Sequence, residues 1–122
     1  MTRDMSLVRH ILLRVERDDQ GGLPGDVLRI DGYDDQVVGR HVQLMQEGGL
    51  LNAHIIETDS GVVRAMVFRL TWAGHEFLDA ARNESIWAKT LTRLKSEASA
   101  VPFDLLKTIL VAQIKSHLGV HE

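Results

Sequence analysis

Apolar residues recur at three- and four-residue intervals in two stretches of the N-terminal half of this 122-residue chain. This period is typical of amphipathic helices, and it predicts one helix over residues 4–17 and another over residues 35–47. Asp34 or Asp35 is suited to cap the second helix, and the glycines at 48 and 49 are suited to end it. Residues 23–31, between the helices, fit either a strand or a helical turn. We expect a short strand that pairs with the hairpin described next.

The pattern changes to alternation after the second helix. Ala53–Thr58 and Val62–Leu70 alternate around a glycine-containing turn, which predicts an antiparallel hairpin. Both faces of the second strand are partly apolar, so we expect other elements to cover it. Thr71 is suited to cap a helix over residues 72–82. We expect Trp72 to lie in the core and His41 to join the helix at 35–47 to the hairpin.

Two further helices are predicted in the C-terminal third, over residues 84–97 and 103–118. Apolar side chains cover well over half the circumference of the last helix, which exceeds what a helix buried on one side needs. This breadth favours a homodimer interface, although packing on two sides within one chain would also account for it. The residues expected at the dimer interface are Leu105, Ile109 and Ala112.

Together, these elements predict a single domain over residues 1–122 of the α+β class, mainly α. The order helix, hairpin, helix is that of the second half of a winged helix-turn-helix, in which the hairpin is the wing. Residues 1–83 would form this winged-helix core, and residues 84–122 would form a C-terminal helical extension. A chain of this length can bury one core.

The sequence lacks the residue patterns that enzymes and metal sites require. The absence of cysteine excludes disulfides, thiolate catalysis and cysteine zinc sites. Only His117 and His121 have the spacing of a helical metal-ligand pair, and they lie at the end of the chain. There is no nucleophile elbow and no phosphate-binding loop. We therefore expect no enzymatic activity, no metal and no cofactor.

Charge and hydropathy narrow the choice of partner. No apolar run approaches the roughly 20 residues of a membrane span, and no signal peptide precedes the first helix. We therefore expect a cytoplasmic protein with no membrane partner. The net charge is −3 and no segment is a basic block, whereas a DNA-binding domain usually presents at least one basic face. A non-enzymatic protein-interaction module is therefore the alternative to a DNA-binding protein.

Two motifs resemble bacterial winged-helix repressors of the MarR, ArsR and PadR types. The stretch Val37–Leu51 is similar to their recognition helix, and Arg69–Leu78 is similar to the signature after their wing, in which Gly74 follows Thr71 by three residues. This resemblance implies a dimeric transcriptional regulator that inserts the helix at 35–47 into the major groove of duplex DNA. Arginine and glutamine suit base and phosphate contacts. The candidate DNA-binding residues are Gln36, Arg40, Gln43, Arg64 and Arg69.

Over nearly its full length, the chain also resembles a family of small bacterial and prophage proteins of unknown function. The matching segments include residues 30–33, residues 70–80 and Ile86-Trp87. That family has no assigned activity, so this second resemblance implies no reaction and no ligand.

Overall fold

A computed structural model describes residues 3–18 and 27–119 of the chain. Within these residues, five helices and one two-stranded antiparallel hairpin form a mainly helical α+β fold, which confirms the predicted class. A short 3-10 helix, Lys95–Ser99, joins the last two α-helices. The elements are α1 Met5–Asp18, α2 Asp35–Glu47, β1 Leu51–Glu57, β2 Val63–Leu70, α3 Trp72–Ala81, α4 Glu84–Leu94 and α5 Phe103–Leu118.

Local capping explains where α2 and α3 begin and end. The Asp34 carboxylate accepts a hydrogen bond from the backbone N–H of Gln36, and the Thr71 hydroxyl accepts one from Gly74. Each cap satisfies a backbone donor that has no partner within its helix. Gly49, with φ of +81°, turns the chain from α2 into β1.

The strand predicted over residues 23–31 is not formed in the described part of that stretch, and residues 23–26 lie outside the described residues. Residues 27–30 run beside β2, but the one backbone bond between them is that from Leu28 N to Ala65 O, at 2.8 Å. The chain then turns, because Tyr33 N bonds to Ile30 O and Gly32 has φ of +86°. With this single backbone bond, residues 27–30 do not form a strand with β2.

The hairpin has a bulge near its base. Its register pairs Glu57 with Val63 and Leu51 with Leu70, but it shifts between Asn52 and Ala53. Because Ala53 pairs with Val67 and Asn52 pairs with Arg69, Phe68 is the extra residue of β2. A bulge re-aims the side chain of the extra residue and increases the local twist.

The apolar faces of α1, α2 and α3 meet one face of the hairpin in a continuous core. Phe77 is fully buried, and its ring meets the edges of Trp87 and Phe103 at centroid distances of 6.4 and 5.7 Å. Trp87 is 5% exposed, but Trp72 is 80% exposed, and its predicted place in the core is wrong. At about 100° per residue, Trp72 lies on the opposite face of α3 from the core residues Phe77 and Ala81.

Arginine side chains of α1 and of the α3–α4 junction join these elements. Arg9 donates to the carbonyls of Ala81 and Arg82, and Arg82 forms two 2.8 Å hydrogen bonds with the Glu16 carboxylate. The hydrogen bonds from Arg82 hold the pKa of Glu16 below its ordinary value of 4.5. These contacts fix the end of α3 against α1.

Candidate nucleic-acid interface

Helix α2, the predicted recognition helix, lies directly on β2. At Gly39, an added Cβ would lie 2.5 Å from the carbonyl oxygen of Val63, so only glycine permits this approach. The Gln36 amide donates to Gly61 O at 3.0 Å, and its oxygen accepts from Val63 N at 2.6 Å. The amide nitrogen and the amide oxygen of Gln36, a predicted DNA-binding residue, are therefore both bonded to the backbone at the turn of the hairpin.

The other predicted contacts on α2 are also engaged within the protein. The Arg40 guanidinium lies 3.7 Å from the Glu57 carboxylate and donates to the Gln43 side chain at 3.3 Å. Acidic residues lie at both ends of the helix, with Asp34 exposed at the start and Glu47 exposed at the end. The surface of α2 therefore combines one paired arginine with several carboxylates.

The two predicted contacts on the hairpin differ in their surroundings. Arg64 is half-buried and donates to the carbonyl of Val63 at 2.9 Å, with Gln36 Oε1 at 3.5 Å. Arg69 is exposed at the end of β2. Among the described residues, no carboxylate lies within ion-pair distance of Arg69. Its charge is available to an external anion.

Side-chain alternation along the two strands produces a hairpin face that points away from the core. Its side chains are exposed or half-buried. They include two arginines and one histidine, and no carboxylate. We call this surface the outer face. It consists of Asn52, His54, Ile56, Arg64, Met66 and Arg69.

Two further exposed side chains, both aromatic and not predicted from the sequence to bind, lie close in the chain to Arg69 of the outer face. Phe68 is 60% exposed and Trp72 is 80% exposed, on either side of Arg69 in the chain. The apolar character of both faces of β2 is the available signal in the sequence, but it predicts coverage by other elements. In the structure, Phe68 is instead the exposed bulge residue.

His41 is buried, but it does not join α2 to the hairpin as expected. Its Nε2 accepts a 2.8 Å hydrogen bond from the backbone N–H of Asp4, and its Nδ1 lies 2.8 Å from the Val37 carbonyl. These partners assign the proton to Nδ1. His41 therefore joins α2 to the N-terminal end of α1.

Residues 3–18 and 27–119 contain neither a cluster of metal ligands nor a membrane-spanning helix. No group of three or more histidine, cysteine, aspartate or glutamate residues there could hold a metal ion. None of the described helices is both long enough and apolar enough to cross a membrane.

The residues predicted to form a dimer interface lie on the outward side of α5. Leu106 and Leu110 are buried against the core, whereas Leu105 and Ala112 are exposed and Ile109 is half-buried. The three predicted residues therefore share one accessible stripe.

Comparison with known proteins gives a family for this chain. Residues 2–100 match the family described as "Hypothetical protein (DUF2513)". An uncharacterized protein of Haemophilus influenzae is 35% identical over 122 residues, and the match covers 98% of this chain and 100% of that relative. No solved structure matches. The chain belongs to the DUF2513 family of hypothetical proteins.

Proposed function

We propose that this protein binds DNA without catalysing a reaction, and that the hairpin rather than α2 supplies its phosphate contacts. The observation that carries the proposal is the segregation of charge. The outer face presents Arg64 and Arg69 without a carboxylate, whereas α2 begins and ends in acidic residues. Phosphate contacts supply much of the affinity of DNA-binding proteins. The outer face, which carries no carboxylate, is therefore better suited to bind DNA than α2.

The internal contacts of α2 support the same choice. Freeing the Gln36 amide would break two hydrogen bonds to the hairpin backbone, each worth about 1 kcal/mol. Freeing Arg40 from Glu57 would cost less, because exposed ion pairs contribute roughly 0–1 kcal/mol. The Glu57 carboxylate would nevertheless stay beside the DNA and repel it.

A winged-helix scaffold is part of this proposal. The element order α2, β1, β2, α3 supports it, and so does the bond from Leu28 to Ala65, which lies where a third strand would pair with the hairpin. A role as a bacterial or prophage transcriptional regulator rests on the resemblance to winged-helix repressors.

Replacing both Arg64 and Arg69 with alanine is expected to weaken DNA binding and its dependence on salt. Each lost phosphate contact should reduce the slope of log affinity against log salt by about 0.9 for duplex DNA and about 0.7 for a single strand. The measurement is a fluorescence anisotropy titration of labelled duplex and single-stranded DNA at several salt concentrations. Arg93→Ala, an exposed arginine of α4, is the matched control and should bind as the wild type does.

A variant on the predicted recognition helix distinguishes the two binding surfaces. Arg40→Ala is expected to leave the salt slope nearly unchanged, since Arg40 already faces Glu57. If Arg40→Ala weakens binding more than the double hairpin variant does, α2 is the contact surface and the proposal is wrong.

A protein-interaction module is the second candidate function. The net charge of −3 and the acidic ends of α2 favour it, since they oppose close contact between this helix and a phosphate backbone. Pull-down from a bacterial lysate should recover a specific partner if this function is correct. Salt-dependent DNA binding that is weakened by replacing Arg64 and Arg69 would count against it.

We further propose that α5 pairs with α5 of a second copy in the antiparallel direction. A pair centred between Leu110 and Val111 would set Leu105 opposite Ser116 of the partner subunit and Ile109 opposite Ala112 of the partner subunit. Each large side chain would therefore meet a small one, and twofold symmetry would repeat both contacts. The first turn, with Asp104, would lie beside the partner's basic last turn, which carries His117.

Replacing Ile109 with glutamate is expected to convert a dimer to a monomer, because the twofold would bring two added carboxylates close together. Light scattering on the wild type should give twice the chain mass of 13.7 kDa, and the variant should give the chain mass. Ser85→Glu, at an exposed site in the first turn of α4, should remain dimeric. A monomeric wild type at high concentration would contradict this interface.

A further inference from the structure

Two large aromatic side chains flank an arginine in the five-residue segment from Phe68 to Trp72. Phe68 is 60% exposed and Trp72 is 80% exposed, and both are among the most exposed large apolar residues described. Arg69 lies between them in the chain, exposed and without a carboxylate partner among the described residues. Fully burying such a side chain is worth about 1.5–3 kcal/mol, so the fold leaves this stabilisation unused.

The backbone around each ring is fixed by contacts that are already formed. Phe68 is the bulge residue of β2, between the paired residues Val67 and Arg69. Trp72 opens α3 immediately after Thr71, whose hydroxyl donates to Gly49 O and accepts from Gly74 N. The two rings are therefore held on regular elements and not on a loop, which lowers the entropic cost of using them for binding.

The chemistry of this surface narrows its ligand. An exposed arginine binds phosphate, and exposed aromatic faces stack on bases that are not already stacked in a duplex. In double-stranded DNA the base faces are hidden, so Phe68 and Trp72 would gain little from it. An apolar protein partner would match the rings, but it would leave Arg64 and Arg69 of the outer face without counter-charges. Single-stranded nucleic acid provides both phosphates and open base faces.

We infer that Phe68, Trp72 and the outer face of the hairpin form a binding site for single-stranded DNA, with the rings stacking on bases and Arg69 contacting phosphate. The inference rests on the proposed function and makes it narrower, because it names the form of DNA that binds. It requires no opening of the core and no displacement of an internal ion pair. It also explains why the strongest aromatic exposure lies next to an unpaired arginine.

The chain contains a built-in reporter for this site. It has two tryptophans, of which Trp87 is 5% exposed and Trp72 is 80% exposed. Quenching of tryptophan fluorescence by added DNA would therefore come mainly from Trp72. The probe is a 12-residue oligothymidylate, compared with a duplex of the same length, in low-salt buffer.

The expected result is that oligothymidylate quenches the fluorescence and binds more tightly than the duplex. Trp72→Ala should abolish the quenching and reduce affinity about 5- to 150-fold, the loss of one stacked base. The conservative variant Trp87→Phe should keep both the affinity and the quenching. Because Trp72 contacts solvent and not the core, its loss should leave the unfolding midpoint nearly unchanged.

Two different results would overturn the inference, and they are distinguishable. If the duplex binds as tightly as the single strand and Trp72→Ala has no effect, the stacking site is wrong while the proposed DNA binding stands. If neither DNA binds at low salt, both the inference and the proposed function are wrong. In that case the exposed rings would be a surface for a protein.

Discussion

Replacing Gly74 with alanine is expected to lower the free energy of unfolding by about 3 kcal/mol or more, a large value for one methyl group. An added Cβ at Gly74 would lie 1.8 Å from the carbonyl oxygen of Leu50. That oxygen cannot move away freely, since it accepts a 3.0 Å hydrogen bond from Thr71 N. In an open helix the same change would stabilise the protein by about 1 kcal/mol, because alanine is the better helix former.

The sign of the Gly74→Ala effect therefore tests the packing directly. Urea unfolding of the wild type and the variant gives the change in free energy, provided that the m-values agree. Gly119→Ala is a useful control, because it has a φ of +73° and open space around it. It should cost only about 1–2 kcal/mol, from backbone strain. A stabilised Gly74→Ala variant would show that α3 does not contact Leu50 as described.

The contact between Gly74 and the Leu50 carbonyl explains two residues of the motif that follows the hairpin. Thr71 caps α3 by accepting from Gly74 N, and Gly74 lets the first turn of α3 rest on the end of α2's connection to β1. The threonine and the glycine that follows it by three residues are thus explained by packing alone. The motif therefore adds nothing about DNA contact.

Replacing His41 with leucine is expected to destabilise the protein by about 2 kcal/mol, the second-largest effect. The substitution keeps a similar apolar volume but removes the acceptor of the Asp4 N–H bond. It would leave that backbone donor without a partner beside a buried side chain, at the point where α1 begins. Amide hydrogen exchange should then show reduced protection in the first turns of α1.

His54→Leu is the matched control for this prediction. His54 is exposed on the outer face of the hairpin, so its replacement should change the free energy of unfolding by less than about 0.5 kcal/mol. If His41→Leu is as stable as His54→Leu, the hydrogen bond from Asp4 to His41 does not contribute to the fold.

Helical periodicity was sufficient to predict most of the architecture. The bounds predicted for α2 and α5 agree with the structure, and the hairpin and α3 lie within two residues of their predicted positions. The prediction that Trp72 lies in the core is wrong, because it rests on the general tendency of tryptophan to be buried. The angle between Trp72 and Phe77 around the helix already places Trp72 on the opposite face. The partner of His41 could not be predicted, since it depends on how α1 crosses α2.

The candidate site was harder to predict for a related reason. The exposure of Arg69 can be predicted from the sequence, because an arginine near the end of an amphipathic strand is normally exposed. The role of Gln36 cannot be predicted from the sequence, since the hydrogen bonds of its side-chain amide to Gly61 and Val63 depend on the approach of α2 to the hairpin. The exposure of Phe68 depends on a shift of register between Asn52 and Ala53. Alternation alone gives no sign of that shift.

We propose that the hairpin binds DNA through phosphate contacts. The most direct measurement is the affinity of the wild-type protein for labelled single-stranded DNA at two salt concentrations. Two arginine contacts predict that log affinity falls with log salt with a slope of about −1.4, since each contact to a single strand contributes about 0.7. No binding at the lower salt concentration, or binding that is indifferent to salt, would contradict the claim.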